Sequence, residues 1–202
     1  VYATCRDLSK MPEFEDNRVV ILELDITNNH EIEQVVKQAL DTEVLINNAG
    51  VLSAGSILNG KIADIEKDMN VNYYGTLKIM RSFASVLESN SPSRIVNITS
   101  IVAYSPLPSI AGYSASKAAV IGLTKHLATY WAANNVRVNT VTFAGVFDNQ
   151  DQGFLDRYLP KVPMGRMANP EDYVGPVIFL LSDASRYMTG ADLVVDGGFS
   201  AW

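Results

Sequence analysis

Six short runs rich in Val, Ile and Leu recur along the chain, and longer helical patterns separate them. The runs are VYAT (1–4), VVILEL (19–24), VLINN (44–48), RIVNIT (94–99), VRVNTVT (136–142) and LVVD (193–196). Their apolar residues mostly follow one another instead of alternating with polar ones, which predicts parallel strands covered on both faces. The intervening patterns predict the covering helices, over 28–41, 61–89, 112–134 and 170–183. The alternation therefore predicts an α/β fold with an open, doubly wound parallel sheet.

Composition fits one domain and excludes several classes of function. The chain has 202 residues, of which 48% are hydrophobic and 19% are charged, so it can build a full core. A formal net charge of −6 repels phosphate backbones, so we expect no nucleic-acid partner. The densest apolar run, VIFLL at 177–181, is too short for a membrane span, so we expect no membrane association either.

Cysteine and histidine usage gives two further expectations. The single Cys5 rules out a disulfide within the chain and fits a soluble, cytoplasmic protein. His30 and His126 are far apart and lack ligand spacing, so we expect no metal site.

Polar or turn-forming residues follow three of the predicted strands and open one predicted helix. NNAG (47–50) follows the third strand, Ser100 ends the fourth, and a turn at 143–145 follows the fifth. GYSASK (112–117) opens the helix after the fourth strand. Ligands of open α/β sheets bind beyond the carboxyl ends of the strands, so these segments predict a site at one sheet edge.

Tyr113 and Lys117 are four residues apart, so both project from one face of the predicted helix. An ammonium group near a phenol favours the phenolate and lowers its pKa from the ordinary value near ~10 towards neutral pH. The pair then predicts a general acid–base, with Ser100 placed to hydrogen-bond the same reacting oxygen. The alternative is a half-buried tyrosine beside a lysine that extends to solvent, and the spacing alone favours that alternative.

Taken together, these motifs resemble the short-chain dehydrogenase/reductase family. Ser100 lies thirteen residues before Tyr113, Asn72 lies in MNVNYYGT, and VRVN and VVDGG follow in the family's order. The resemblance implies one Rossmann-like domain over 1–202. It also implies that Tyr113 is the acid–base, that Lys117 lowers its pKa and holds the nicotinamide ribose, that Ser100 orients the substrate oxygen, and that Asn72 anchors a proton-relaying water.

The resemblance also implies a set of cofactor-binding residues. Asn48, Ala49 and Gly50 pack beside the adenosine, and Asp25, followed by Ile26, meets the adenine. The turn Ala144-Gly145 and the Val146 backbone meet the nicotinamide end. Phe143-Ala144 stands where the family usually has Pro-Gly, so we expect weaker or altered closure over the cofactor.

The start of the chain departs from the family pattern. The family's first strand and glycine-rich turn do not precede Val1, so we expect the chain to be a piece of a longer protein that lacks the first strand of the sheet. At the end of the strand 1–4, Thr4 and Arg6 stand where NAD users tend to place an acid. We therefore favour NADP over NAD, because Arg6 can pair with a 2′-phosphate. The alternative is a solvated Arg6 whose charge Asp7 offsets.

The resemblance implies hydride transfer between a nicotinamide cofactor and a carbonyl or secondary alcohol, with 143–168 as the substrate loop. The alternative is a non-catalytic relative that serves as a binding or assembly subunit. We also expect a homo-oligomer, most consistent with a tetramer, because the helix 112–134 carries apolar residues on more than one face. Phe199 and Trp202 would then lie near a subunit boundary.

Overall fold

The computed structural model describes all 202 residues, Val1–Trp202. Its strands are β1 (Tyr2–Cys5), β2 (Val20–Glu23), β3 (Val44–Asn47), β4 (Ser93–Ser100), β5 (Val136–Phe143) and β6 (Asp192–Val195). Its α-helices are α1 (Asn29–Gln38), α2 (Ile62–Asp68), α3 (Thr76–Ser82), α4 (Ala84–Ser89), α5 (Ala111–Trp131), α6 (Gln152–Tyr158) and α7 (Glu171–Leu181). All six predicted strands are present, each within a residue of its predicted ends.

Every strand pair is parallel, and the strands form two separate sheets. One sheet has four strands in the order β3-β4-β5-β6, and the other is the pair β1-β2. The central strands β4 and β5 pair over eight residues each, from Ser93↔Val136 to Ser100↔Phe143. The carboxyl ends of β3, β4 and β5 therefore lie side by side, as the strand-end argument requires.

Alternate residues of the central strands enter two different cores, which is the doubly wound arrangement. Ile95 and Val138 are buried in the larger core with side chains of α1, α3, α4 and α5. Val96 and Val141 are buried on the opposite face against Leu180 of α7. Burial on both faces explains why the strands read as continuous apolar runs.

The predicted helix 61–89 is interrupted. Between α2 and α3 the segment Met69–Gly75 has π-helical hydrogen bonding, and Phe83 separates α3 from α4. A π segment places an extra residue in a turn and rotates the following helical face, and such segments are frequent at functional sites. Asn72 lies in the middle of this one.

The predicted substrate loop 143–168 contains a helix, α6, that the sequence analysis did not predict. The Asp151 side chain accepts a hydrogen bond from the Phe154 backbone N–H and so caps this helix. The capping residue stabilises a helix of only seven residues where glycines and prolines on either side favour a loop.

The structure shows how far the residues behind the oligomer expectation are buried within one chain. Leu123, Leu127 and Trp131 of α5 are buried in the larger core, whereas Tyr130 of the same helix stays exposed. Phe199 is also buried, against Tyr158 of α6, so the C-terminal tail folds back over the substrate loop. Trp202 stays exposed.

None of the helices combines the length and the apolar character that crossing a membrane requires.

Candidate active site

Tyr113 lies in the first turn of α5, beside the carboxyl end of β4. Its ring packs against a small apolar cluster that includes Val102 and Phe199. Burial raises the pKa of Tyr113 above its ordinary value, the Ser100 hydroxyl acts in the opposite direction, and the Asp68 carboxylate adds to the rise. The sequence argument expected a lowered pKa. The structure gives the opposite net direction, because removing the phenolate from water outweighs the hydrogen bond.

Lys117 lies one turn further along the same helix, and its side chain is buried. The Nζ atom is 5.6 Å from the Tyr113 ring centroid. It donates one hydrogen bond, of 3.0 Å, to the Ile98 carbonyl of β4. Burial lowers the pKa of Lys117 to about 8. An ammonium group has three donors, so two remain for hydroxyl groups of a bound molecule.

Asn72 joins the π segment to the loop that follows β3. Its Oδ1 accepts from the Val51 N–H at 2.8 Å, and its Nδ2 donates to the Val51 carbonyl and to the Ser116 hydroxyl, both at 2.9 Å. A Cβ atom on Gly50 would lie 3.2 Å from Asn72 Oδ1 and 3.5 Å from Lys117 Nζ. The structure therefore brings Asn72, Gly50 and Lys117 together. Because residue 50 is a glycine, no side chain fills the space next to Asn72 Oδ1 and Lys117 Nζ.

The adenosine-side residues lie at the ends of β1, β2 and β3. Asn48, Ala49 and Gly50 are exposed directly after β3. Burial raises the pKa of Asp25, but hydrogen bonds from the Thr27 backbone and hydroxyl and the charge of Arg6 outweigh it, so the net direction is down.

Two further residues of this set have contrasting exposure. Thr4 is exposed near the end of β1, two residues before the exposed Arg6. Ile26, by contrast, is buried in the larger core.

The turn after β5 is held by aromatic side chains where the family has Pro-Gly. Phe143 stacks on Tyr173 with ring centroids 3.8 Å apart. The Gly145 N–H donates to the Tyr158 hydroxyl at 2.7 Å, and a Cβ on Gly145 would come within 2.9 Å of that oxygen. These contacts fix the turn Phe143-Ala144-Gly145 by packing instead of by a proline ring. The next carbonyl, of Val146, accepts from Gln150.

Three residues at the site escaped the sequence analysis. Ser116 supports Asn72, Tyr158 holds Gly145, and the buried Asp68 faces α5. Ser116 lies inside the GYSASK segment, so its position was a usable signal. Tyr158 and Asp68 lie in segments that read as loop packing and as an ordinary helix face.

The residues present fit a nicotinamide dinucleotide. The strand ends after β1 and β3 leave Arg6 and Gly50 exposed, so both can contact a bound molecule. Lys117, close to Gly50, keeps two donors that suit ribose hydroxyls. Tyr113 and Ser100 lie beside it, where a phenol and a hydroxyl can bind one substrate oxygen.

A family model and a curated relative that match this chain are both described as reductases. A family model described as enoyl-(acyl carrier protein) reductase matches residues 4–200. A 3-oxoacyl-[acyl-carrier-protein] reductase from Synechocystis is 31% identical over 185 residues, which cover 89% of this chain and 75% of that protein.

Two solved structures are also similar. A short-chain dehydrogenase from Leptospira borgpetersenii with bound NAD+ superposes with a TM-score of 0.92 at 32% identity, covering 98% of this chain and 82% of the other. A protein from Beutenbergia cavernae, described as an NAD(P)-dependent gluconate 5-dehydrogenase with bound NADP at low occupancy, gives a TM-score of 0.85 at 31% identity. The superposition covers 91% of this chain and 78% of the Beutenbergia protein.

Proposed function

The chain belongs to the short-chain dehydrogenase/reductase family, and from that membership we propose that Tyr113 exchanges a proton with the substrate oxygen in each turnover. The protein is an NAD(P)-dependent oxidoreductase acting on a carbonyl or secondary alcohol. Lys117 and the turn after β5 would hold the nicotinamide end of the cofactor, which would supply the hydride for reduction or accept it in oxidation. In reduction, the O–H bond of Tyr113 breaks and its proton passes to the carbonyl oxygen.

The other residues serve that proton transfer. Ser100, at the end of β4, hydrogen-bonds the substrate oxygen and aligns it with Tyr113. Lys117 stabilises the phenolate that forms and holds the ribose hydroxyls. Asn72 keeps the π segment fixed against the loop after β3 and so keeps Lys117 in place. The observation that carries the proposal is the buried Lys117 ammonium, close to the Tyr113 ring and with only one of its donors used.

The test removes the Tyr113 hydroxyl and keeps the ring. Tyr113→Phe should fold normally and lose turnover by about 10²–10⁴-fold, the usual contribution of a general acid–base. The assay follows NAD(P)H absorbance with a 3-oxoacyl thioester and with gluconate as probes, since relatives act on such compounds. Tyr187→Phe, at a fully exposed tyrosine, is the matched control. Near-normal turnover in Tyr113→Phe would refute the assignment.

The cofactor proposal is a preference for NADP, with NAD as the alternative. Arg6 is the first residue after β1 and precedes Asp7, and the exposed Arg6 lies near enough to Asp25 for its charge to lower the pKa of that carboxyl. A 2′-phosphate next to Arg6 would gain a charge-assisted hydrogen bond.

A homo-oligomer and a cytoplasmic location complete the proposal. On α5 Tyr130 is exposed while Leu123, Leu127 and Trp131 are buried, and α7 leaves Val174 and Ile178 exposed one turn apart. The edge strand β6 also exposes Val194. A two-fold contact between copies would cover these residues. The free thiol of Cys5 is compatible with a reducing compartment.

A further inference from the structure

Asp68 is a carboxylate buried within the protein. It ends α2, and only 1% of its surface is exposed. Its Oδ2 accepts one long hydrogen bond, of 3.3 Å, from the Ser53 N–H, and its Oδ1 has no partner. Burying a carboxylate with one oxygen unpaired is costly, so a side chain in this position calls for an explanation beyond packing.

The carboxylate lies against the start of the helix that carries Tyr113. A Cβ on Gly112 would stand 3.1 Å from Asp68 Oδ2 and 2.8 Å from the Ile65 Cα, so only glycine permits this approach. The first turn of α5 carries the positive end of the helix dipole, and its N-cap residue, Ile110, makes no side-chain capping bond. The Asp68 carboxylate therefore lies beside this end of the dipole, next to the residue that precedes Tyr113.

The groups around Tyr113 act on its phenol in opposite directions. The Ser100 hydroxyl at the end of β4 lowers the pKa of Tyr113. The Lys117 ammonium lies 5.6 Å from the ring centroid, and a positive charge at that distance favours the phenolate. Asp68 opposes them, because its negative charge raises the pKa of Tyr113. Tyr158 of α6 packs against the same apolar cluster as a neutral phenol.

Two more charged side chains share a small cavity with Asp68. Lys61 and Asp64 line this cavity together with Asp68 and Gly112.

We propose that Asp68 is a positioning residue that acts through Tyr113: its charge at the start of α5 balances Lys117 and sets the pH range in which Tyr113 exchanges its proton. The inference rests on the proposed function, because it takes Tyr113 as the acid–base. Asp68 itself is too deeply buried to touch substrate or cofactor. Its effect is electrostatic, and it distinguishes this site from one in which only a lysine tunes the tyrosine.

The test is the pH profile of alcohol oxidation by the full-length protein with NADP⁺ and the most active secondary alcohol of the probe set. In that direction Tyr113 must be deprotonated, so the rate rises with pH through its apparent pKa. Asp68→Asn keeps the shape and removes the charge. We expect the rising limb to move to lower pH, so that on the limb the variant turns over faster than the wild type.

Controls separate this effect from structural damage. Asp64→Asn removes a charge from the same cavity without altering the contact with Gly112, and its limb should stay in place. Asp68→Ser is a second uncharged variant, to be used if Asp68→Asn does not fold.

The outcomes are distinct. A limb that stays in place or moves to higher pH in the folded Asp68 variant, or an equal shift in Asp64→Asn, would overturn the proposal even if Tyr113→Phe is inactive. An active Tyr113→Phe would instead overturn the proposed function.

Discussion

At the scale of single residues, Lys117 illustrates the conflict between stability and catalysis. Its ammonium must be charged to stabilise a phenolate, yet burial lowers its pKa from 10.5 to about 8. Burial of Lys117 therefore lowers the free energy of unfolding at every pH at which the lysine is charged in both the folded and unfolded states. Functional sites are a common location for such costs.

Lys117→Met makes that cost measurable. Below pH about 8 the lysine is protonated in both states, and the wild type carries the full penalty. Between about 8 and 10.5 only the unfolded state binds the proton, so wild-type stability rises with pH relative to the variant. The pKa difference corresponds to roughly 3 kcal/mol at about 1.4 kcal/mol per pKa unit.

Urea unfolding at pH 7 and pH 10 checks this prediction. Lys125→Met, at an exposed lysine of the same helix, is the control and should show no such trend. A difference in unfolding free energy between wild type and Lys117→Met that stays constant with pH would contradict it.

Arg6 gives a second prediction at this scale. If the guanidinium pairs with a 2′-phosphate, Arg6→Ala should weaken NADPH binding about ten- to a hundred-fold, because a hydrogen bond between charged groups contributes roughly 1.5–3 kcal/mol. NADH lacks the phosphate and should bind almost unchanged. Fluorescence titration of both nucleotides measures the two losses, and equal losses would remove Arg6 from cofactor selection. Arg18→Ala, at an exposed arginine paired with Asp16, is the control.

At the scale of elements, α5 has two glycines in contrasting surroundings. Gly112 touches α2, and a Cβ there would lie 2.8 Å from the Ile65 Cα. Gly122, ten residues further along, has nothing within 4 Å of the position its Cβ would take. The first glycine is thus required by close packing, whereas the second only lowers the helix propensity.

The two alanine substitutions should therefore have opposite effects. Gly112→Ala should destabilise the fold by about 1–3 kcal/mol, because backbone atoms cannot move aside cheaply. Gly122→Ala should stabilise it by about 0.5–1 kcal/mol, because alanine loses less conformational freedom in a helix. Thermal unfolding of both variants gives the comparison, and a stable Gly112→Ala would contradict the close contact between α2 and α5.

Sequence patterns predicted the strands better than the helices, for a physical reason. In a strand buried on both faces, such as β4 or β5, consecutive residues are suited to burial, so the sequence itself indicates the strand. The π segment at Met69–Gly75 keeps a helical composition and differs only in hydrogen bonding, so periodicity cannot reveal it. Helix α6 depends on one capping side chain, Asp151, within a glycine- and proline-rich stretch.

The functional site shows the same contrast between features that sequence patterns reveal and features that depend on packing. Tyr113, Lys117 and Asn72 were predicted because the combined motifs resemble one family, and the structure places them near one another, although their roles stay predictions. Asp68 was not predicted, since its environment depends on how α2 packs on α5. The direction of the Tyr113 pKa was wrong for a related reason, because desolvation is a property of the folded surroundings and not of a sequence interval.

At the scale of the whole molecule, the exposed apolar residues of α7 and β6 predict self-association. We expect light scattering at micromolar concentration to give a multiple of the 22.1 kDa chain mass, a tetramer or at least a dimer. Ile178→Glu should lower that mass by placing charge in the contact. Leu40→Glu, at an exposed leucine far from α7 in the sequence, should not. A monomeric mass for the wild type would refute the assembly.

The parallel pairing of all strands also determines when the strands can pair during synthesis of the chain. The side-chain hydrogen bond between Asn47 and Asn97 joins β3 to β4 across 50 residues, and that between Thr140 and Asp192 joins β5 to β6 across 52. At a synthesis rate of about 5–20 residues per second, β3 and β5 each wait several seconds for these partners to leave the ribosome. No hairpin shortens the wait. The apolar edges of β3 and β5 therefore stay unpaired during that time, and Tyr113 meets the turn after β5 only once that strand has been made.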